Sequence, residues 1–217
     1  MLYKAVPESV ATLLRDIHHW SLPARTYLAG GTAVAIYLDH RVSVDIDLFT
    51  EEDFYCGPII SSIEQNHAIT VTNVADRDTL IANVDDIKFS LFHYPYPPVK
   101  PLVTNPAYDI EVASPEDIAA MKAVAIVQRG IAKDFVDLRA LMLSFDISLN
   151  DLMTTVHKKY RVSTDYSYQV KKSLVYFDDA VNSLGDVTML KKGQKVRLER
   201  EGWKEIEKYF KGIVFSQ

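Results

Sequence analysis

Asp45 and Asp47 are the residues whose type and spacing most directly suggest chemistry. They lie in the segment 44–48, Val-Asp-Ile-Asp-Leu, in which apolar and acidic residues alternate. In a β-strand this alternation places the apolar side chains on one face and both carboxylates on the other. Two neighbouring carboxylates repel each other unless a proton or a cation lies between them. Because Mg²⁺ takes oxygen ligands and leaves positions open for substrate phosphates, the pair is a candidate magnesium site.

The segment Gly30-Gly31-Thr32 precedes the two acids by one short helix. The two glycines permit backbone angles and close approaches that a Cβ would forbid. Thr32 is predicted to start the helix, whose free N–H groups would point into the space in front of it and could hold a phosphate. A phosphate site beside a metal pair suits phosphoryl or nucleotidyl transfer. Without the glycines, a solvated strand face whose acids pair with nearby basic groups would be the simpler interpretation.

The spacing Gly30-Gly31-Thr32, then Arg41-x-Ser43-x-Asp45-x-Asp47, resembles the signature of the DNA polymerase β-like nucleotidyltransferases. Within that superfamily the sequence is most similar to the AbiEii/AbiGii toxin family of type IV toxin–antitoxin systems. The similarity continues in Ser-Pro-Glu-Asp-x-x-Ala-x-Lys over 114–122, in Arg129, and in Lys-Asp-x-x-Asp-Leu over 133–138. It implies a mixed sheet with flanking helices followed by a C-terminal helical domain, and Mg²⁺-dependent transfer of a nucleotidyl group from an NTP.

The resemblance also implies roles for individual residues. Asp45 and Asp47 would bind the metal, and Lys122 and Asp134 would join them in the active centre. Lys122 would bind nucleotide phosphates, since a lysine supplies a point charge that neutralises a triphosphate. The remaining nucleotide-binding candidates are Gly30, Gly31, Thr32, Arg41, Ser43 and Arg129. Lys122 and Arg129 are two helical turns apart and therefore share one face of their helix.

A third carboxylate is usually supplied by a neighbouring strand in polymerase β-like enzymes, and this sequence departs from that pattern. The corresponding strand, 86–92, carries Asp86, Lys88 and Ser90 on its polar face. If the middle of the strand faces the metal, Ser90 or Lys88 stands where an acid is expected. Asp86 lies near the start of the strand. Two possibilities therefore remain open: Asp86 is a distant metal ligand, or the nucleotide carries in a single metal ion.

Arg41 and Asp137 also have interpretations that involve no chemistry. Ser43 falls on the same strand face as Asp45. Arg41 either pairs with the catalytic acids or a phosphate, or forms an exposed ion pair with Asp39 or Asp45. Asp137 lies near a helix start, where a favourable interaction of its carboxylate with the helix dipole would by itself account for an acidic residue.

The order of predicted elements indicates an α+β protein in two parts. Ser-Pro-Glu-Asp over 114–117 is a strong helix start, with a serine N-cap, a proline at the first position and acids in the first turn. We therefore predict a nucleotidyltransferase domain at 1–113 and a helical domain at 114–217. The predicted strands are 25–29, 44–48, 68–74, 80–84, 87–94 and 108–112. The predicted helices are 6–17, 32–38, 51–66, 114–129, 133–142, 149–159, 166–182 and 203–214.

Composition restricts the environment of the protein. The single cysteine, Cys56, excludes a disulfide framework and favours the reducing cytoplasm. Neither a signal peptide nor an apolar run long enough for a membrane span is visible. No two histidines have the spacing of a zinc site on a helix or hairpin.

Basic residues concentrate in the second part of the chain. Residues 1–113 hold seven Lys and Arg against 15 Asp and Glu, whereas residues 114–217 hold 17 against 14. The densest basic run is 191–195, Lys-Lys-Gly-Gln-Lys, with Arg197 and Arg200 beyond it. It is either an RNA-binding segment or a solvated loop. The aromatic cluster His93, Tyr94 and Tyr96 could line a base pocket, or belong to the core or its rim.

The resemblance implies an RNA acceptor, such as the 3′ end of a tRNA, and a cognate antitoxin as partner. Two alternatives remain from the sequence. One is a nucleotidyltransferase that acts on a small molecule, such as an antibiotic hydroxyl. The other is a non-catalytic nucleotide-binding protein, which the absent third acid would favour.

Overall fold

A seven-stranded mixed sheet forms the framework of the first half of the chain, in a computed structural model that describes residues 3–73 and 75–215. Its strands are β1 Tyr27–Ala29, β2 Ile46–Thr50, β3 Ile69–Val71, β4 Thr79–Val84, β5 Ile87–His93, β6 Val103–Asn105 and β7 Ile110–Val112. The spatial order is β3-β4-β5-β2-β1-β7-β6. The pairs β2–β5 and β1–β7 are parallel, and the others are antiparallel. The predicted mixed sheet is therefore confirmed.

Strand β2 lies at the centre of this sheet, between β1 and β5. Ile46 and Leu48 are fully buried, whereas Asp47 and Phe49 retain partial exposure on the other face. From Ile46 onward the period-two pattern gives one face in the core and one face toward a cleft. The strand predicted over 44–48 nevertheless begins two residues later, and Val44, expected on the core face, is exposed.

Nine α-helices occur among the described residues. They are α1 Glu8–Asp16, α2 Gly30–Leu38, α3 Cys56–Ile63, α4 Pro115–Gln128, α5 Ala132–Ser144, α6 Leu149–Tyr160, α7 Thr164–Leu174, α8 Asp178–Val181 and α9 Arg200–Phe215. The Ser114 hydroxyl caps α4 by accepting the Asp117 N–H at 3.0 Å. Phe135 of α5 packs against Trp203 and Phe210 of α9, which joins the two ends of the helical part.

Several predicted boundaries differ from the structure. Helix α2 begins at Gly30 rather than Thr32. The helix predicted over 51–66 is wrong in length, because α3 begins only at Cys56, with Pro58 in its first turn. The helix predicted over 166–182 is divided into α7 and α8, and β6 was not predicted. The predicted strand 68–74 ends at Val71, and Val74 lies outside the described residues.

A β-hairpin replaces the basic loop considered for residues 191–195. Its strands are β8 Thr188–Lys191 and β9 Gln194–Arg197. Positive φ angles at Lys192 and Gly193, 51° and 77°, form the tight turn, as in a type I′ hairpin. The other edge of β8 bonds to the segment 40–42: the Val42 N–H donates to the Thr188 carbonyl and the Leu190 N–H to the His40 carbonyl, each at 2.8 Å.

Through these two bonds the hairpin attaches residues 188–190 to the segment that precedes β2. The proposed division at residue 113 falls between the end of β7 and the start of α4, and it stays a prediction. None of the helices within residues 3–73 and 75–215 combines the length and apolarity that a bilayer crossing needs.

Candidate active site

The two acids lie at the start of β2, next to the N-terminus of α2. Asp47 is opposite Ala29 of β1 and Ser90 of β5. Its carboxylate faces Gly30, which has a φ of 67°; a Cβ built at that position would lie 2.7 Å from Asp47 Oδ2. Glycine is therefore required at position 30 both by the backbone angle and by the carboxylate beside it.

Gly31 makes room for a different neighbour. A Cβ at this position would lie 2.3 Å from Arg41 Nη2 and 3.0 Å from Ser43 Oγ. Thr32 is buried; its hydroxyl shares a hydrogen bond of 3.0 Å with Ser43 and donates to the carbonyl of Asp45. The Gly-Gly-Thr segment thus fits α2 against the strand that carries the acids. Phosphate binding by Gly30, Gly31, Thr32 and Ser43 stays a prediction.

The carboxylates of Asp45 and Asp47 have free lone pairs. Among residues 3–73 and 75–215, no backbone or side-chain group donates a hydrogen bond to either one; Lys133 Nζ lies 4.0 Å from Asp45 Oδ2. Burial raises the pKa of Asp47, and the charge of Asp45 raises it further, against the lowering effect of Lys122, Lys88 and Arg129. A pair of unbonded, mutually repelling oxygen donors fits a hard divalent cation such as Mg²⁺.

No third acid stands beside this pair on the neighbouring strand. Ser90 is the register partner of Asp47 and is almost fully buried. Asp86 lies in the turn before β5, with a φ of 65°. Four residues of extended strand span roughly 13 Å, so Asp86 is too distant from Ser90 to complete the same ion's coordination.

Lys122 faces this site from α4 and is held by two buried acids. Its Nζ lies 3.1 Å from Asp134 Oδ1 and 2.7 Å from Asp137 Oδ2. The partly exposed side chain of Arg129 also pairs with Asp134 and donates to both of its carboxylate oxygens, at 2.9 and 3.0 Å. The predicted active-centre residues Lys122 and Asp134 and the predicted nucleotide-binding residue Arg129 therefore form one ion-pair network.

Arg41 and Asp137 continue the network across the two halves of the chain. Arg41 is 3% exposed and donates twice to Asp137, from Nε at 2.6 Å and from Nη2 at 2.7 Å. His40 Nε2 lies 2.8 Å from the same carboxylate. The interpretation of Arg41 as an exposed partner of Asp39 or Asp45 is wrong, because its guanidinium is buried against α5.

The helix-dipole interpretation of Asp137 is also insufficient. The residue is fully buried, in the second turn of α5, and is surrounded by three basic side chains. Burial alone would raise the pKa of its carboxyl, but Arg41, Lys122 and His40 together outweigh burial and hold it well below the usual range. Asp137 is therefore a charged hub that joins α5, α4 and the segment before β2.

Two adjoining cavities meet at the acids. They share Asp47, Lys88, Lys122 and Arg129. The smaller, of about 360 Å³, is polar and reaches Arg41, Asp45, Lys133 and Thr188. The larger, of about 680 Å³, has an aromatic wall that consists of Phe49, Phe92, His93, Tyr94, Tyr96, Tyr160 and Tyr166. One side of the acids thus suits phosphates, and the other suits a flat ring.

A buried ion pair supports the aromatic wall. Lys159 Nζ lies 2.8 Å from Asp117 Oδ1, and both side chains are inaccessible to solvent. The Asp117 carboxylate also accepts hydrogen bonds from the Ser114 hydroxyl and from the N–H groups of Val99 and Lys100, so the pair fastens the loop after Tyr94 to α4 and α6. Lys159 was not singled out in the sequence. Its place on the apolar face of α6, beside Leu152 and Val156, was the available signal.

A second set of possible ligands lies at the far end of the sheet. Asp53, Asp78 and His93 bring one ligand atom each within 4.8 Å of one another. His93 Nδ1 is 3.5 Å from Asp53 Oδ1, so an ion pair accounts for part of the cluster. A search for helical or hairpin spacing could not find this group, because its members come from three separate loops and strand ends.

The chain is a nucleotidyltransferase by its family and by its fold. The sequence matches the family described as nucleotidyl transferase AbiEii toxin, type IV toxin–antitoxin system, over residues 12–88 and 73–212. The chain belongs to this family, which confirms the resemblance noted in the sequence. Membership implies a nucleotide substrate and an antitoxin partner.

Three known proteins illustrate the similarity. An uncharacterized protein of Aquifex aeolicus (strain VF5) is 42% identical over 191 residues, which cover 87% of this chain and 85% of the relative. JHP933 from Helicobacter pylori has a similar fold, with a TM-score of 0.54 and 19% identity over 96% of this chain and 90% of its own. MenT4, a nucleotidyltransferase toxin of Mycobacterium tuberculosis H37Rv, has a TM-score of 0.55 and 13% identity over 97% of this chain and 82% of its own.

Proposed function

We propose that the protein transfers a nucleotidyl group from an NTP to a hydroxyl at the 3′ end of an RNA, with a tRNA as the first candidate, and that it depends on Mg²⁺. The observation that carries the proposal is a pair of carboxylates that accept no hydrogen bond from the described residues and lie at the junction of a polar and an aromatic cavity. Asp45 and Asp47 would hold Mg²⁺. When bound, the ion would neutralise phosphate charge and activate the attacking hydroxyl.

In this reaction the acceptor oxygen forms a bond to the α-phosphorus of the NTP. The bond from that phosphorus to the oxygen bridging to the β-phosphate breaks, pyrophosphate leaves, and the hydroxyl proton is released to solvent. The chain's own contribution is mainly positioning and electrostatic stabilisation, as in other phosphoryl transfers. Gly30, because it lacks a side chain, leaves room for the Asp47 carboxylate beside the N-terminus of α2.

The two cavities suggest how the nucleotide is oriented. The triphosphate would occupy the polar cavity, where Arg129 and Lys133 keep partial exposure. The base would stack in the aromatic cavity, near Tyr94 and Tyr160, whose hydroxyls are hydrogen-bonded to each other. Burial raises the pKa of both tyrosines, so the hydroxyls stay protonated.

The biological consequence would be an arrest of translation, because a modified tRNA 3′ end cannot be charged or used. A separately encoded antitoxin would restrain this activity in the cytoplasm. These assignments rest on family membership and on the site chemistry described above.

The test is incubation of the purified protein with total tRNA, Mg²⁺ and each labelled NTP in turn. Asp47→Asn removes one metal ligand and should abolish labelling. Asp86→Asn is the matched control, because it removes an exposed acid of the same sheet that lies outside both cavities. It should label tRNA at the wild-type rate.

The outcome also separates the alternatives. Labelled tRNA that depends on Asp47 and on Mg²⁺ would establish the reaction and name the donor. Nucleotide binding without labelled RNA, together with pyrophosphate release in the presence of a small hydroxyl compound, would replace RNA by a small-molecule acceptor. Nucleotide binding without any turnover would refute the proposed transfer.

A further inference from the structure

We propose that the exposed face of the β8–β9 hairpin binds the phosphate backbone of the acceptor RNA and directs its 3′ end into the polar cavity. This inference rests on the proposed function, since it names the surface that holds the proposed acceptor. The hairpin was not predicted from the sequence, and its position beside the catalytic acids becomes evident only in the fold.

The first argument is charge. Residues 188–197 contain Lys191, Lys192, Lys195 and Arg197 and no acid. All four are exposed, and within the part of the chain that the structure describes none of them forms an ion pair. Elsewhere, several surface cations are paired with acids, for example Arg15 with Glu8. Cations without partners are available to neutralise phosphates and to release the counterions that drive RNA binding.

The second argument is position. Thr188, at the start of the hairpin, lines the polar cavity together with Asp45 and Asp47. In the hairpin register Thr188 is opposite Arg197, and Leu190 is opposite Lys195. Because directly opposite residues share one face of a hairpin, Arg197 and Lys195 form a row that leads away from the mouth of the cavity.

The third argument is rigidity. The hairpin is hydrogen-bonded to the segment 40–42 by two backbone bonds of 2.8 Å. Arg41 of that segment is bound twice to the buried Asp137. The row of cations is therefore attached through a short, well-anchored path to the strand that carries the acids. A surface fixed in this way can set the distance from an RNA backbone contact to the reacting hydroxyl.

A simpler explanation of the lysines is protection of a sheet edge. Strand β9 pairs only with β8 among the described residues, and natural proteins place lysine on such edges to prevent strand-to-strand aggregation. Edge protection predicts no effect of these charges on RNA affinity. The two explanations therefore differ in a measurable quantity.

The experiment compares the hairpin variant K195Q/R197Q with the control variant K204Q/K208Q. Both remove two positive charges from exposed residues, and none of the four residues lines either cavity. Affinity for total tRNA is measured without NTP at several salt concentrations, and NTP binding and gel filtration check the fold and the oligomeric state. The hairpin variant should lose about tenfold or more in affinity at low salt, and its salt dependence should be shallower by about two in log K against log salt. The control variant should stay within about twofold of wild type, because its charges lie off the proposed path.

Each result bears on the hairpin separately from the transfer reaction. Equal loss of affinity in both variants, or no loss in either, would overturn the proposal, even if wild type labels tRNA. Aggregation of the hairpin variant with unchanged RNA affinity would assign the lysines to edge protection and overturn it as well. Selective loss of tRNA affinity in the hairpin variant would support the surface, and the absence of any labelled RNA would then refute only the proposed transfer.

Discussion

Asp137→Asn should destabilise the protein strongly without changing the size of the side chain. The carboxylate is fully buried and receives contacts of 2.6 and 2.7 Å from Arg41, 2.7 Å from Lys122 and 2.8 Å from His40. An amide cannot carry the charge that balances Arg41, which is itself buried and has no other acid within ion-pair distance among the described residues.

The expected magnitude follows from the cost of leaving a buried charge without its partner, about 3 to 5 kcal/mol. For a chain of this size each kcal/mol corresponds to about 2 to 4 °C in Tm, so the expected decrease is roughly 6 to 20 °C. Asp134→Asn is the matched control. It should cost less, about 1 to 3 kcal/mol, because Arg129 reaches solvent and Lys122 keeps Asp137 as a partner.

The assay is thermal and urea unfolding of the three proteins as a function of pH. Because the pKa of Asp137 is lowered in the folded state, its contribution is present above the unfolded pKa of about 3.9 and is lost as the pH falls through the lower folded value. The difference between wild type and Asp137→Asn should therefore be constant near neutral pH and shrink below about pH 4. A loss below about 1 kcal/mol at pH 7, or a loss no larger than that of Asp134→Asn, would refute the view of Asp137 as the charged hub.

Two further substitutions test the walls of the site. Gly30→Ala should lower stability by about 1 to 2 kcal/mol because of the positive φ at this position. It should also reduce nucleotidyl transfer at least tenfold, since the new Cβ would lie 2.7 Å from Asp47 Oδ2. The control Gly57→Ala, where a Cβ meets nothing within 4 Å, should leave activity unchanged, and equal effects of the two substitutions would contradict the argument. Lys159→Met should lower stability by about 3 to 5 kcal/mol, because it leaves Asp117 buried without its partner. It should also raise the KM for the NTP by loosening the aromatic wall. An unchanged KM at a temperature where the variant is folded would show that the ion pair does not contribute to nucleotide binding.

Local patterns predicted the parts of the site that lie close together in the chain. The alternation around Asp45 and Asp47 has a period that only a strand satisfies, and the helix start at Ser114 has a complete set of capping residues. The structure reproduces the helix start, and it reproduces the strand from Ile46 onward, with Asp45 directly before it. The glycines were also identified correctly as positions of close approach, although the nearest atoms belong to Asp47 and Arg41 rather than to a ligand.

Contacts between distant segments could not be predicted in the same way. Arg41 and Asp137 are 96 residues apart, and nothing in either local sequence indicates that the two side chains are buried together. The hairpin was missed because its strands have only four residues each and consist mainly of charged and polar side chains, with Lys-Gly at the turn instead of the usual Asn-Gly or Asp-Gly. The extended backbone of 188–191 is stabilised by pairing with residues 40–42, a partner that no local pattern reveals.

The surroundings of Lys122 change what its charge is expected to do. A phosphate that approached its ammonium group would compete with two carboxylates already at 2.7 and 3.1 Å, and both carboxylates are buried where water cannot replace the lost contact. Arg129 also pairs with Asp134, but 59% of its side chain is exposed. Lys133 is 32% exposed and only 4.0 Å from Asp45, and both residues line the same cavity as Lys122. The first contact of a triphosphate should therefore fall on these two residues. Lys122 would act mainly by lowering the electrostatic cost of placing a polyanion beside Asp47, from a position that Asp134 and Asp137 fix in advance.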